Sequence, residues 1–126
     1  MSAVDIFFNL SVLERALPML LRGLWYTVSL GITAIVLGSV LGAMIAITRL
    51  YAPKPLRLLA VLYTDLVRAI PVLVLLILLY YALPFAGITL SSFAAAAAAL
   101  TMVLAAFTAE VVRAGIEATP KGQFEA

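Results

Sequence analysis

The sequence predicts an all-α integral membrane protein. Three transmembrane helices are expected, N-terminus outside and C-terminus inside, preceded by an amphipathic segment. Three observations lead there. Of 126 residues, 66% are hydrophobic and 11% charged, where a soluble domain runs near half and a quarter. A chain this short buries only about two-thirds of its surface on folding, so the apolar excess has to face lipid. The charges also leave two long gaps, residues 23–48 and 69–109. Finally, the basic residues gather between spans and are missing from the one predicted hairpin.

Residues 1–22 come first. Ile6, Leu10, Leu13, Leu17, Leu20 and Leu24 recur at helical spacing, with Asp5, Asn9 and Glu14 on other faces. Two readings stay open: a helix lying along the outer membrane surface, with a bend at Pro18, or a simple extension of the first span. The first span covers about 24–48, since roughly 20 apolar residues cross the hydrocarbon core. It carries Gly31, Gly38, Gly42 and Ala46. Gly38 and Gly42 form a G-x-x-x-G pair, a spacing that lets helix backbones approach closely, and the three glycines are candidate packing positions.

The uncharged run 69–109 is too long for one helix, and Pro84, Gly87, Ser91 and Ser92 mark its turn. The part before the turn is too short to cross alone. The second span is therefore extended back to 58–83, which takes Asp65 and Arg68 into it. Three residues apart on one helix, these two are expected to pair, and Pro71 is expected to kink the span. The third span, about 90–109, is rich in alanine, which suits close packing. Beyond it, Glu110, Arg113 and Glu117 suggest a wet helix leaving the membrane. Pro120-Lys121-Gly122 reads as a turn, with Gly122 permitting backbone that a larger residue would strain.

Arg49, Lys54 and Arg57 lie in the first loop, and Arg113 and Lys121 in the tail. Placing that loop in the cytoplasm puts the N-terminus and the hairpin outside and the tail inside.

The sequence has no cysteine and no histidine, which excludes thiol and imidazole chemistry and the usual zinc sites. No cofactor or metal is implied. A net charge of +2, scattered along the chain, does not suggest nucleic acid. No G-x-x-x-x-G-K-[ST] phosphate loop occurs, and no acid, base and nucleophile converge, so the chain is not expected to be an enzyme by itself.

The tail, Ala109-Glu110-x-x-Arg113-x-Gly115-Ile116-x-x-x-Pro120-Lys121-Gly122-Gln123-x-Glu125-Ala126, resembles the permease subunits of ABC importers for polar amino acids. Gly23-Leu-Trp-Tyr-Thr27 resembles that family's entry to its first span, and Arg68-Ala-Ile-Pro71 its R-x-x-P signature. Over residues 20–126 the order and spacing agree. The resemblance implies the first part of a five-span type I permease in a bacterial inner membrane. It implies three kinds of partner: ABC ATPase subunits, a second permease subunit in a homo- or heterodimer, and an extracytoplasmic solute-binding protein. It also implies that residues 110–126 open the cytoplasmic EAA coupling loop. Gly122, Gln123, Glu125 and Ala126 would begin the ATPase contact, and Arg68, Pro71, Glu110 and Arg113 would shape the path or its gate.

Two features depart from the family. Ala106-Phe107-Thr108 stands where the family usually reads Ala-Tyr ahead of the Glu. The chain also stops after the first Glu-Ala of the loop, where family members run to roughly 200 residues, so it is expected to be an N-terminal portion. Two other functions remain alternatives on the residues alone: a small three-span accessory protein without transport activity, and an ion-coupled carrier using Asp65 or Glu110 as a relay.

Overall fold

The computed structural model describes residues 7–125, Phe124 by its backbone alone. Asp5, Ile6 and Ala126 lie outside the described residues. The chain divides into two units, one ending at Gly31 and the other beginning at Ile32.

Helix α1 spans Leu10–Tyr51. It starts at Asn9, whose Oδ1 accepts from the Ser11 and Val12 amides at 3.2 and 3.4 Å and so satisfies donors that an opening helix turn leaves free. Pro18 lies inside this helix: the chain stays helical through the position expected to bend. In the first unit Leu13, Leu17, Leu20, Leu24 and Trp25 are all exposed.

In the second unit, Ala34, Gly38, Gly42 and Ala46 of α1 are buried at four-residue intervals. Gly38 and Gly42 face helix α4, Ser92–Ala118. A Cβ added at Gly38 would stand 2.8 Å from Leu104 Cβ; one at Gly42 would stand 2.5 Å from Thr108 Cβ and 2.8 Å from the Ala105 carbonyl oxygen. All three distances are below contact, so only glycine lets the backbones come this close. No atom lies within 4 Å of a Cβ built at Gly31.

Helix α2 spans Lys54–Ala69 and helix α3 Val72–Ile77. The chain continues through a π-helical turn, Leu78–Ala82, and a 3-10 turn, Leu83–Ala86. The span expected over 58–83, with a kink at Pro71, is broken sharply at that position. Its two parts, Lys54–Ala69 and Val72–Ala86, are bent 104° apart. The cause is local: Pro71 has no amide hydrogen and its ring disfavours helical backbone in the residue before it. Ile70 is accordingly extended, at φ −90° and ψ 127°. Among the described residues, two helices, α1 and α4, are long and apolar enough to cross a membrane, and the bent pair is a third if it counts as one span.

The hairpin turn falls where proline, glycine and serine predict it. Gly87 has φ +82°, and the amides of Gly87 and Ile88 donate to the carbonyls of Pro84 and Leu83 at 3.0 and 3.1 Å, closing the preceding turn. Ser91 then caps α4, its side chain accepting from the Ala94 amide at 3.1 Å. Buried Val67 and Leu75 pack on Ala99 and Ala106, with Tyr63, Ile70 and Met102 around them. The Tyr63 hydroxyl donates to the Met102 carbonyl at 2.8 Å, tying α2 to α4. The last described element is a short helix, α5, Lys121–Glu125.

Candidate functional site

At the C-terminal end of the α1–α4 seam, three guanidinium groups from three helices converge on one carboxylate. Glu110 of α4 is the centre, with its side chain 21% exposed. Its Oε1 accepts a hydrogen bond from Arg49 Nη1 in the last turn of α1. Its Oε2 accepts from Arg113 Nη2 at 3.0 Å, one turn along α4. Arg68, in the last turn of α2, brings its Nη1 to 3.9 Å from the same Oε1 that Arg49 occupies. Arg113 also pairs with Glu117.

Each guanidinium has a second support. Arg49 Nη1 donates to Thr64 Oγ1 at 3.0 Å. Thr64 is fully buried, and its hydroxyl lies 2.9 Å from the Val61 carbonyl, so that residue both donates and accepts at the α1–α2 contact. The Arg68 guanidinium carbon lies 5.3 Å from the centroid of the Phe107 ring, within the range where an aromatic face attracts a cation. The polar group has a physical logic. A charge leaving water costs several kcal/mol unless it is paired and hydrogen-bonded, and here each guanidinium can turn to a nearby acceptor or ring.

Of the sequence-derived candidates, Arg68, Glu110 and Arg113 are brought together here, with Pro71 three residues beyond Arg68 at the break. The expected Asp65–Arg68 pair is corrected. Asp65 is exposed and makes no ion pair or hydrogen bond among the described residues, while Arg68 turns to Glu110 and Phe107 on the neighbouring helix. Spacing along α2 puts the two on neighbouring faces but says nothing of the stronger partners on α4. Sequence reasoning missed Arg49, Thr64 and Phe107 as members of the group. For Arg49 a signal was present: it follows Gly38, Gly42 and Ala46 at helical spacing and so extends the stripe that faces α4.

Of the four tail candidates, Ala126 lies outside the described residues and the other three are not part of this group. Gly122, Gln123 and Glu125 are exposed on α5. The turn expected at Gly122 is also corrected: Gly122 lies inside α5, and among the described glycines only Gly87 has positive φ. A Cβ at Gly122 would meet no atom within 4 Å. The chain turns instead at Thr119, whose ψ of 124° is the extended backbone that a following proline favours. Among the described residues, no three His, Cys, Asp or Glu side chains gather so as to hold a metal ion.

Residues 34–126 match the model of a family described as binding-protein-dependent transport system inner membrane component. The probable glutamine ABC transporter permease protein GlnM of Bacillus subtilis is 38% identical over 118 residues, 94% of this chain and 55% of that protein. The L-cystine transport system permease protein TcyB of the same organism is 35% identical over 109 residues, 86% of this chain and 47% of that one. A crystal structure of an amino acid ABC transporter with histidines superposes with a TM-score of 0.82 at 34% identity, over 90% of this chain and 53% of the solved one. The chain thus spans about half the length of the curated relatives it matches. With most of its residues inside the family's model and amino acid ABC permeases among its relatives, the chain belongs to the family of binding-protein-dependent transport system inner membrane components.

Proposed function

We propose that this chain forms part of the membrane-spanning subunit of an ATP-driven importer for amino acids, in a bacterial inner membrane. Residues 23–126 form its transmembrane part, with the N-terminus outside and the tail in the cytoplasm. ATP is hydrolysed on separate ABC ATPase subunits, a solute-binding protein delivers the substrate from outside, and a second permease subunit completes the path. Arg68, Pro71, Glu110 and Arg113 shape the inner half of that path. Gly122, Gln123, Glu125 and Ala126 open the surface on which the ATPase acts.

The observation that carries this reading is the course of α4. One unbroken helix runs from the hairpin at Ser92, past Glu110 and Arg113, to Ala118, and the exposed α5 follows two residues later. A push on the tail is therefore carried along one rod into the charged group. The basic first loop and tail support the orientation, and the named relatives support the amino acid cargo. An ion-coupled relay through Glu110 fits less well, because a carboxylate held by hydrogen-bonded guanidiniums favours its ionised form.

The test uses the full-length permease in its native complex, reconstituted in vesicles. ATP-dependent uptake of labelled amino acids is expected, and Glu125→Lys should lower uptake about tenfold while the amount of permease in the membrane stays the same. Uptake that ignores ATP but collapses with the membrane potential sinks the reading.

A further inference from the structure

Two arginines on different helices address one oxygen atom. Arg49 of α1 and Arg68 of α2 both approach Glu110 Oε1, while Oε2 is held by Arg113 of the same helix. Arg113 cannot sense a movement between helices, because it travels with Glu110. Arg49 and Arg68 can. Arg49 is bonded; Arg68, at 3.9 Å, is outside hydrogen-bond distance, and a shift of about 1 Å would bring it within reach. Two like charges at one oxygen repel, which keeps the second guanidinium back while the first is in place. Neither is stranded when it lets go: Arg49 keeps the Thr64 hydroxyl at 3.0 Å, and Arg68 keeps the face of Phe107.

We propose that Arg49 and Arg68 are alternative partners of Glu110 Oε1, and that exchange between them couples movement of the C-terminal end of α4 to the helix break at Pro71. The two helices that carry these arginines are attached differently. α1 is fixed to α4 at Gly38 and Gly42, where a Cβ would have no room. Arg68 sits one residue inside the end of α2, two residues before the extended Ile70 and the 104° bend. With Arg49 in place, α4 is clasped to α1 and the break is left to itself. With Arg68 in place, α4 holds the end of α2 and sets the angle at which α3 departs. Arg49, Arg68, Thr64 and Phe107 are positioning residues in this scheme: they act through Glu110 and the backbone, without touching the transported solute.

The consequence for transport rests on the importer reading; the exchange itself does not. The test therefore has two readouts on the complete transporter, carrying Arg49→Gln, Arg68→Gln and both together. Either arginine alone keeps Glu110 paired across helices, so each single variant should lower Tm by no more than about 3 °C, and the double variant by more than twice their sum. Additive losses, or loss of the folded protein from either single variant, overturn the exchange. The second readout is solute taken up per ATP hydrolysed. It should fall about tenfold in Arg68→Gln, which leaves the clasp only one position, and Arg68→Lys should recover at least part of it. An unchanged ratio in Arg68→Gln also overturns the proposal. If the unaltered transporter shows no ATP-dependent uptake, the importer reading fails and the Tm cycle alone decides the exchange.

Discussion

Helix α4 is flanked by two seams of opposite character. Toward α1 it meets Gly38 and Gly42, where Leu104, Thr108 and the Ala105 carbonyl stand so close that a single methyl group has no space. Toward α2 and α3 it meets Tyr63, Val67 and Leu75, large side chains on a segment that is already broken at Ile70–Pro71. On α4, Leu104, Ala105 and Thr108 face the first seam, and Ala99, Met102 and Ala106 the second. The difference lies in what the partner brings. Glycine brings helices so close that the seam has one fit. Tyrosine, valine and leucine can change rotamer, and a seam built from them tolerates small displacements. In membranes, where apolar burial gives helices little reason to associate, close packing of the first kind is a principal source of stability.

The largest test of that contrast is Gly42→Leu. The new side chain would start 2.5 Å from Thr108 Cβ and 2.8 Å from a backbone oxygen, and neither can retreat far. Overpacking of this kind costs about 1–3 kcal/mol and more where backbone must move. The folded yield in mild detergent should drop severalfold, while Gly31→Leu, with open space around its Cβ, should leave yield and melting unchanged. Equal effects at the two positions would erase the distinction between a packed stripe and a lipid-facing glycine.

Pro71→Ala probes the other seam and should act mainly on shape. With alanine there, the restriction on Ile70 disappears and α2 can run on into α3. Spin labels at Leu58 and Tyr81 should then move apart by about 10 Å, judged from a 1.5 Å rise per residue and straightening of the bend, with a stability change of about 1 kcal/mol or less. An unaltered distance would mean that packing on Ala99 and Ala106, rather than the proline, holds the bend.

Asp65→Ala should do least. The side chain is exposed and has no partner among the described residues, so its removal should change stability by less than about 0.5 kcal/mol. A larger loss in a denaturation series would show that Asp65 pairs in the assembled protein.

Much of this architecture is legible in the sequence because it follows from local chemistry. Pro84, Gly87 and Ser91 mark the turn before α4, since a proline, a left-handed glycine and a capping hydroxyl each have a fixed use there. Gly38 and Gly42 declare a close-packing face by their spacing. What could not be read has a common cause: it depends on a second helix. The i, i+3 rule paired Arg68 with Asp65 because it sees only α2; the acceptor and the ring that Arg68 uses stand on α4, some forty residues later. Pro71 told of an interruption, but the size of the bend depends on what α2 and α3 find to pack against. Gly122 misled in the other direction. Glycine after Pro-Lys suggested a turn, yet Thr119, forced into extended backbone by Pro120, had already made it, and Gly122 was free to join a helix.

The alanines of α4 have one more consequence. Ala95, Ala99, Ala105, Ala106 and Ala109 are each entirely shielded from solvent, and an alanine has no side-chain torsion to freeze. Ordering a leucine costs about 0.5–1 kcal/mol of rotamer entropy; ordering an alanine costs none. The helix is therefore assembled at a low entropic cost. At those five positions the helix has no soft modes, because a methyl group cannot swing aside when its neighbour moves. A displacement applied at one end of α4 is not absorbed by side-chain rearrangement at these positions, which favours its passage along the helix as motion of a rod.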